Sequence, residues 1–309
     1  MKGKFSWIIF LFPALVLLII FRFVPLVNLI RYSLFAWNIT GPVKFVGFKN
    51  FINIFKDPFF WNAFLNTLWY VVFTVPLSVA ISLIVAVLLN QIKFLRNFFR
   101  TIYFLPVITS LVAISVVWKW FYDPTRGLLN YLLSFLGLKL LWLEEPRGIF
   151  EILFGKDLPQ ILEGPSLALF SLSIMSVWKN LGYNVLIFLA GLQNISKVYY
   201  EAAKIDGANS FKIFLKITLP LLSPTTFYVL IMTTIASFQV FAPVWIMTGP
   251  PPGGPLGKTS VLVYYLYQKG FEEYQVGYGS AIAFVVFVIL LILTILQKKI
   301  LEKRVYYEV

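Results

Sequence analysis

Long apolar runs, separated by short polar or Gly/Pro-rich segments, dominate the pattern of this chain. Several runs reach the length of about 20 residues that crosses the hydrocarbon core of a bilayer. Each is predicted to be a helix, because a bilayer offers no partner to unpaired backbone groups. A transmembrane barrel would show alternating segments of about ten residues instead. The six predicted spans are residues 7–30, 67–89, 102–118, 167–192, 219–240 and 279–296.

Composition agrees with this pattern. The chain is 60% hydrophobic and 13% charged, whereas soluble domains are roughly 45–50% apolar. Its mean hydropathy is +0.84. The fold class is therefore predicted to be an all-α integral membrane protein with six transmembrane helices. The chain has no cysteine and no histidine, which excludes disulfides, thiolate or imidazole catalysis and Cys/His metal sites. We expect no cofactor, no metal and no catalytic residues.

The distribution of basic residues predicts the orientation. Lys and Arg outnumber acids 26 to 13, and in a membrane protein this excess concentrates in cytoplasmic loops, so no nucleic-acid partner is expected. An even number of spans places both termini on one side. The four segments on the N-terminal side carry 13 Lys/Arg, and the three opposite segments, about twice as long, carry 11. Both termini are therefore predicted to be cytoplasmic. The N-terminal-side segments are 1–6, 90–100, 193–218 and 298–309, and the opposite ones are 31–65, 119–165 and 246–278.

This topology divides the chain into three parts. Residues 1–66 would hold the first span and the first external loop, and residues 67–297 a transmembrane core that includes a cytoplasmic loop at 193–220. Residues 298–309 would form a basic cytoplasmic tail. Tryptophans cluster at the predicted span ends, where indole rings favour the membrane interface. They are interpreted as an anchoring belt and comprise Trp37, Trp61, Trp69, Trp118, Trp120 and Trp142.

The external segment 119–165 mixes Gly and Pro with an apolar stretch at 128–143. That stretch is predicted to be amphipathic and to lie along the membrane surface. A further span here would place the basic loop 193–218 outside. The acids of the segment would face an external ligand or partner, and they are Glu144, Glu145, Glu151, Asp157 and Glu163.

Two charges, Arg22 and Lys179, fall within predicted spans. Both side chains could reach the interface by snorkelling. The alternative is a role in a translocation path, the default hypothesis for an intramembrane charge.

The loop 193–220 is short, basic and interrupted by Gly207. Residues 198–205 favour a helix, which Gly207 can end in a positive-φ conformation. Glu201 offers a carboxylate to a basic partner, while the small Ala202 and Ala203 allow another surface to approach closely.

A second helix is predicted to follow. Asn209 or Ser210 can cap it, and it would run through Lys216. Pro220 would then lie in the first turn of the fifth span, where proline costs little. The product is a helix–turn–helix elbow below the membrane, whose apolar face in the second helix comprises Phe211, Phe214, Leu215 and Ile217.

Written as a pattern, the elbow is E-A-A, three residues, glycine, nine residues, then I-x-L-P. This pattern resembles the cytoplasmic loop by which ABC-importer permeases dock onto their ATPase subunits. The positions that carry the resemblance are Glu201, Ala202, Ala203, Gly207, Ile217, Leu219 and Pro220.

The resemblance extends over nearly the whole chain, which is similar to the maltose-type permease subunits of carbohydrate-uptake ABC importers. The stretches that carry it, in family order, are FLFPALVLLIIFRFVPLVNLIRYSLFAWN (10–38), FVGFKNF (45–51), FFWNAFLNTLWY (59–70), FFRTIYFLPVITS (98–110), VWKWFYDPTRGLLN (117–130), VWKNLGYNVLIFLAGLQNIS (177–196) and MTGPPPGGP (247–255).

The resemblance implies the type I importer permease fold in the cytoplasmic membrane, with the elbow as coupling helix. It implies a second homologous permease subunit as heterodimer partner, two ABC ATPase subunits and an extracytoplasmic solute-binding protein. The substrate would be a sugar or oligosaccharide, moved by alternating access; a polyol or a sugar phosphate is the alternative. ATP hydrolysis would belong to a separate chain, and this chain would not be an enzyme.

A sugar path through a bundle needs hydrogen-bonding side chains and aromatic faces. Polar and aromatic side chains in three spans are candidates, together with one glycine. Helix–helix hydrogen bonding explains the polar ones equally well. The candidates are Thr109 and Ser110 in the third span, Trp178, Asn180, Gly182, Tyr183 and Asn184 in the fourth, and Thr233, Thr234, Ser237, Phe238 and Gln239 in the fifth.

Other function classes are disfavoured. An intramembrane enzyme would need converging catalytic groups, and the only charges in the predicted spans are Arg22 and Lys179. An ion-coupled secondary transporter would carry intramembrane acids, and none of the predicted spans contains Asp or Glu. Residues 253–259 imitate a phosphate-binding loop, but they have the wrong spacing, follow no predicted strand and lie in an external loop.

Overall fold

The computed structural model describes residues 6–38, 40–91, 96–155, 159 and 162–302. Helices dominate this part of the chain. The α-helices are Ser6–Leu18, Val24–Ser33, Lys49–Lys56, Pro58–Gln91, Arg96–Ile108, Leu111–Phe121, Leu128–Ser134, Ile149–Phe154, Leu167–Asn194, Lys197–Ile205, Ser210–Ile213, Leu219–Leu221, Ser223–Phe238, Ala242–Met247, Leu262–Tyr267 and Val276–Leu301. Short π-helical turns lie at Ile19–Phe23, Phe214–Thr218 and Gln268–Glu272, and a 3-10 turn lies at Pro255–Gly257.

Four of the predicted spans are single, unbroken stretches of helix. Hydropathy identified their positions, and each extends beyond its apolar run at one end or both. These first, second, fourth and sixth spans are Phe10–Ser33, Pro58–Gln91, Leu167–Asn194 and Val276–Ile300.

The third and fifth spans are broken. The third consists of Thr101–Ile108 and Leu111–Phe121, bent by 108°, and the fifth consists of Ser210–Leu221 and Ser223–Phe238, bent by 66°. Taking each bent pair as one span, the described chain has six, as predicted. The prediction of continuous helices over 102–118 and 219–240 was wrong, because an apolar run fixes that a segment enters the bilayer but not whether its backbone stays straight.

The chain divides into two compact units. One contains the residues up to Trp61 together with Tyr265–Ile289, and the other contains Asn62–Tyr264 with the residues from Leu290 onward. The first unit includes the antiparallel hairpin of Phe35–Asn38 and Gly41–Phe45, in which Phe35 lies opposite Phe45.

A carboxylate organises the first unit. Asp57 precedes the second span and caps it, because its Oδ1 accepts the Phe59 N–H at 2.9 Å. Its Oδ2 accepts the hydroxyl of Tyr278 at 2.8 Å and that of Tyr265. Partial burial raises the pKa of Asp57, but the hydrogen bonds from Tyr265, Tyr278 and Phe59 outweigh this effect, and the net pKa lies below its usual range.

This network predicts a pH-dependent stability. The pKa of Asp57 is depressed in the folded state, so its contribution is present above the unfolded pKa of about 3.9 and is lost as the pH falls through the lower folded pKa. We expect Asp57→Asn to lower the Tm in detergent at neutral pH by a few degrees, and the difference from wild type to shrink below about pH 4. The exposed Glu144→Gln is the matched control. An equal Tm for Asp57→Asn and wild type at neutral pH would contradict this role.

The second unit has two cores of buried side chains. The first, here called the loop-side cluster, joins the second, third and fourth spans to the helix Ala242–Met247. The second, the elbow-side cluster, joins the second, fourth and fifth spans near the loop 193–220. The loop-side cluster comprises Tyr70, Ile114, Tyr122, Leu169, Leu172, Met175, Val240, Val244, Met247, Val261 and Tyr264. The elbow-side cluster comprises Leu83, Ala86, Leu89, Val185, Phe188, Leu189, Leu192, Ile195, Leu222 and Val229.

Candidate functional site: the elbow at residues 193–220

The first helix of the elbow is Lys197–Ile205, within one residue of the prediction. At its start the Ser196 hydroxyl accepts the Val198 N–H at 3.4 Å. Gly207 ends the helix with φ of +74°, as predicted. The N–H of Ala208 then reaches back to the carbonyl of Ala203 at 2.9 Å, which closes the turn.

The second half of the elbow contains a feature that the pattern did not reveal. The Asn209 side chain accepts the Lys212 N–H at 2.8 Å and caps Ser210–Ile213, as predicted. The helix then widens into a π turn at Phe214–Thr218. Such turns are frequent at functional sites.

Pro220 does not lie where the sequence predicted. It belongs to the short helix Leu219–Leu221, which ends at the 66° bend. Pro224 instead occupies the first turn of Ser223–Phe238, where its missing N–H costs little. The sequence contains two prolines near this boundary, and spacing alone did not show which one starts the membrane helix.

The elbow is fixed to the membrane helices rather than hanging from them. Its two halves are tied by the Tyr200 hydroxyl, which lies 3.3 Å from the Thr218 hydroxyl. Three of its apolar side chains pack on the elbow-side cluster, which contains residues of the second, fourth and fifth spans. These side chains are Tyr200, Phe214 and Leu219. The base of the elbow therefore packs against three spans.

The tip of the elbow exposes a distinct surface. Glu201 and Ala202 are exposed, whereas Ala203 is buried beneath them, so only the first alanine offers surface to a partner. Ile205 is 87% exposed and Phe211 is 70% exposed. The elbow therefore exposes two large apolar side chains beside charged residues. Sequence reasoning missed Ile205 and assigned Phe211 only to an apolar helix face.

Charges surround this apolar tip. Glu201 and Asp206 are exposed, as are the basic side chains Lys204 and Lys212. Within the described residues, none of these four belongs to an ion pair. The tip therefore carries exposed charges of both signs, and these charges are solvated in the free chain.

The candidate path residues fall into two groups. The buried ones serve packing in this conformation: Asn184 donates to the Thr233 hydroxyl at 3.4 Å, and Thr234 binds the carbonyl of Leu230 at 2.7 Å. The buried group comprises Gly182, Asn184, Thr233, Thr234, Ser237 and Phe238. The exposed or half-buried group comprises Thr109, Ser110, Trp178, Asn180, Tyr183 and Gln239.

The break in the third span faces the fourth span. Thr109 and Ser110 lie at this break. The ammonium of Lys179 donates to the carbonyl of Val107 at 3.3 Å, in the last turn of Arg96–Ile108. A cation at the carbonyl end of a helix is favourable. Lys179 is half-buried and contacts the third span here. Its role in a translocation path stays a prediction.

Gly182 permits the close approach of these helices. A Cβ at this position would collide with the carbonyl oxygen of Tyr103 and lie 2.9 Å from a methyl of Val107. Gly182 is one of the predicted path residues, but in this structure the backbone of the third span fills the space beside it.

The loop that imitates a phosphate site is structural. Lys258 pairs with Glu163 at 2.8 Å rather than standing free for a phosphate. The carbonyl of Gly257 accepts the amides of Asn62 at 3.0 Å and Asn66 at 3.1 Å. These contacts tie the loop to the start of the second span.

A family model described as "Binding-protein-dependent transport system inner membrane component" matches residues 55–306. Similar proteins include the probable ABC transporter permease protein YurN of Bacillus subtilis (strain 168), 36% identical over 96% of both chains. The arabinooligosaccharides transport system permease protein AraP of the same strain is 32% identical over 94% of this chain and 87% of that protein. The sn-glycerol-3-phosphate transport system permease protein UgpA of Escherichia coli (strain UTI89 / UPEC) is 30% identical over 96% of this chain and 94% of that protein.

A solved structure shares the fold. It is a chain of the bacterial alginate ABC transporter in complex with an alginate pentasaccharide-bound periplasmic protein. The TM-score is 0.79 at 22% identity, with 99% of this chain and 98% of that chain covered. The likeness covers the broken third and fifth spans as well as the continuous ones.

Proposed function

The chain belongs to the family of inner membrane components of binding-protein-dependent transport systems, and from this premise we propose that it is the permease subunit of an ATP-driven importer for a sugar or oligosaccharide. The observation that carries the proposal is the elbow, an exposed apolar tip at Ile205 and Phe211 whose base packs on three spans. Such an element lets a separate ATPase move the membrane helices. The chain itself is a transport subunit rather than an enzyme.

The substrate class is supported by the names of similar proteins. AraP is named for arabinooligosaccharides. The alginate transporter, which has the same fold, is described in complex with a periplasmic protein that binds an alginate pentasaccharide. UgpA is named for sn-glycerol-3-phosphate, which supports a polyol or sugar phosphate as the second candidate. A sugar or oligosaccharide is preferred here, because the exposed path candidates are aromatic, hydroxyl or amide groups, which suit sugar rings and hydroxyls.

The proposed assembly follows from the subunits that a binding-protein-dependent transport system needs. A binding-protein-dependent system needs an extracytoplasmic solute-binding protein, and the alginate structure includes such a protein. We propose in addition a second homologous permease subunit and two ABC ATPase subunits. The apolar outer faces of the spans would contact the partner permease on one side and lipid on the other.

In the proposed mechanism, ATP binding closes the ATPase pair and displaces the elbow. The elbow-side cluster passes this displacement to the second, fourth and fifth spans. The breaks near Ser110 and Leu222 provide flexible joints for the third and fifth spans. Substrate would meet the exposed group Thr109, Ser110, Trp178, Asn180, Tyr183 and Gln239, while the buried group Gly182, Asn184, Thr233, Ser237 and Phe238 would come into play only in another conformation.

We further propose that the elbow and both termini are cytoplasmic, with residues 298–309 as a basic tail. Because the chain lacks cysteine, a single Lys212→Cys variant is expected to react with a membrane-impermeant maleimide only in inverted vesicles. The matched control, Glu144→Cys in the external segment, is expected to react only in intact cells; both positions are exposed. Labelling of Lys212→Cys from outside would overturn the orientation and the elbow's role together.

The substrate proposal is tested by uptake in cells that express the whole transporter. We expect labelled oligosaccharides to enter and unlabelled sn-glycerol-3-phosphate to leave that uptake unchanged. Accumulation of sn-glycerol-3-phosphate, blocked by deletion of this chain, would replace the first candidate with the second. A ligand screen on the cognate binding protein, read as a rise in its Tm, narrows the choice to one sugar.

A further inference from the structure

The segment between the third and fourth spans exposes a large apolar face. Its centre is the helix Leu128–Ser134, here called the surface helix, together with the turn that follows. Phe135 and Leu136 are each 73% exposed. An exposed patch of this kind needs a covering surface. The members of the face are Leu128, Tyr131, Leu132, Phe135, Leu136 and Leu138.

This face adjoins an exposed apolar side of the third span. Along Leu111–Phe121, the outward side chains Val112, Val116 and Trp120 are each more than half exposed. Trp120 lines the same cavity as Leu128 and Tyr131. Trp120 therefore joins the exposed apolar side of the third span to the surface helix.

Two cations lie beside the apolar face. An open cavity of about 430 Å³ is bordered by Trp120, Arg126, Tyr131 and Lys139. Within the described part of the chain, neither Arg126 nor Lys139 belongs to an ion pair. The nearby Asp123 is occupied as a turn cap, because its Oδ1 accepts the N–H groups of Thr125 at 2.9 Å and Arg126 at 2.7 Å.

The walls of the cavity are held by a buried amide. Asn130, 7% exposed, donates to the carbonyls of Pro124 at 3.1 Å and Leu140 at 2.8 Å. Its Oδ1 accepts the N–H of Leu140 at 3.2 Å and the indole N–H of Trp142 at 3.0 Å. All of its hydrogen-bonding groups are satisfied within the segment, so the surface helix and the returning chain form one built unit.

The unit is also fixed to the membrane bundle. The hydroxyl of the fully buried Tyr122 donates to the carbonyl of Ser171 at 2.9 Å, and the Ser171 hydroxyl donates to the carbonyl of Trp142 at 3.1 Å. Ser171 belongs to the first turns of the fourth span. The apolar face therefore keeps a constant position next to the ends of the third and fourth spans.

We propose that this cavity and face bind an anionic phospholipid of the surrounding bilayer. The phosphate lies at Arg126 and Lys139, which attract anionic headgroups. Trp120 and Tyr131 lie at the level of the headgroups, as aromatic side chains do at membrane interfaces. Phe135 and Leu136 enter the acyl boundary, as the apolar side of an interfacial helix does. The cavity has the volume of a headgroup site, about 300–1,000 Å³ being usual for small-molecule sites.

The depth of the face is measured with a fluorescent probe at Leu136→Cys in nanodiscs that contain brominated phospholipid. We expect the probe to be quenched as strongly as one at Val116→Cys on the third span, while a probe at the exposed Glu144→Cys stays unquenched. A probe at Leu136→Cys that is no more quenched than the one at Glu144→Cys overturns the proposal. The proposal is also overturned if the environment of the probe at Leu136→Cys becomes apolar only when the binding protein is added, because the face would then be a protein-docking surface.

The headgroup site is measured by native mass spectrometry of lipids retained from mixed phosphatidylglycerol and phosphatidylcholine. The double variant Arg126→Gln/Lys139→Gln is expected to lose the preference for phosphatidylglycerol by about tenfold or more, since both cations that attract the anionic headgroup are removed. The matched double variant Lys44→Gln/Lys49→Gln, with the same change in net charge, should keep the preference. An unchanged preference in the first variant overturns the assignment of the site, even if the face proves to be membrane-embedded.

Discussion

Replacement of Gly207 by valine is expected to reduce ATP-driven uptake at least tenfold while the protein still inserts and folds. Gly207 has φ of +74°, and a left-handed conformation costs an L-residue about 1–2 kcal/mol or more if it is β-branched. A cost of about 1.4 kcal/mol shifts an equilibrium tenfold. The turn closed by the Ala208 N–H and the Ala203 carbonyl would then open, and the first elbow helix would move relative to the segment that carries Phe211.

A Cβ at position 207 meets no atom within 4 Å, so any effect of the substitution arises from backbone conformation and not from a clash. Gly207→Asn is the matched control, because asparagine adopts the left-handed conformation more readily, and it should retain most of the uptake. Glu201→Ala should weaken association with the ATPase, since truncating one partner of a buried charge-assisted contact costs roughly 2–5 kcal/mol. Normal uptake by both Gly207→Val and Glu201→Ala, with the ATPase fully bound, would show that the elbow is not the coupling element.

Replacement of Gly182 by leucine is expected to destabilise the whole membrane core. The added side chain would collide with the backbone carbonyl of Tyr103, which cannot move without displacing the third span. Overpacking a core costs typically about 1–3 kcal/mol, and a collision with backbone lies at the upper end or beyond. We expect Gly182→Leu to lower the Tm in detergent by several degrees, at about 2–4 °C per kcal/mol, and to reduce the amount of folded protein in membranes.

The matched control is Ala190→Leu, two turns further along the fourth span at an exposed position. This substitution also enlarges the side chain, but the leucine would project from the bundle. It should leave the Tm unchanged. Gly182→Ala should lie between the two. If Gly182→Leu unfolds at the wild-type temperature, the third and fourth spans do not pack as described.

The positions of the spans and the first helix and turn of the elbow were predictable because they depend on local sequence. Apolar length determines which segments enter the bilayer. The Asn209 cap and the turn at Gly207 follow from properties of single residues, and the structure confirms both. The first elbow helix likewise begins within one residue of its predicted start.

What the sequence did not reveal depends on contacts between distant segments. The bend of 108° in the third span arises where Gly182 and Lys179 of the fourth span meet its backbone, and backbone partners leave no mark in the sequence. Periodicity placed Phe211 on an apolar face but could not show that nothing covers it. Ala203 was expected at the surface and is buried, because the turn closes over it.

The central claim, that this chain is moved by a separate ATPase acting through the elbow, is tested most directly by reconstitution. Proteoliposomes would contain this chain, its partner permease and the ATPase subunits, with the binding protein and labelled sugar on the external side. We expect sugar uptake to require both ATP and the ATPase. Uptake should be lost in Gly207→Val and kept in Gly207→Asn. The isolated chain should not bind ATP. Sugar uptake by this chain without the ATPase, driven by an ion gradient, would contradict the central claim.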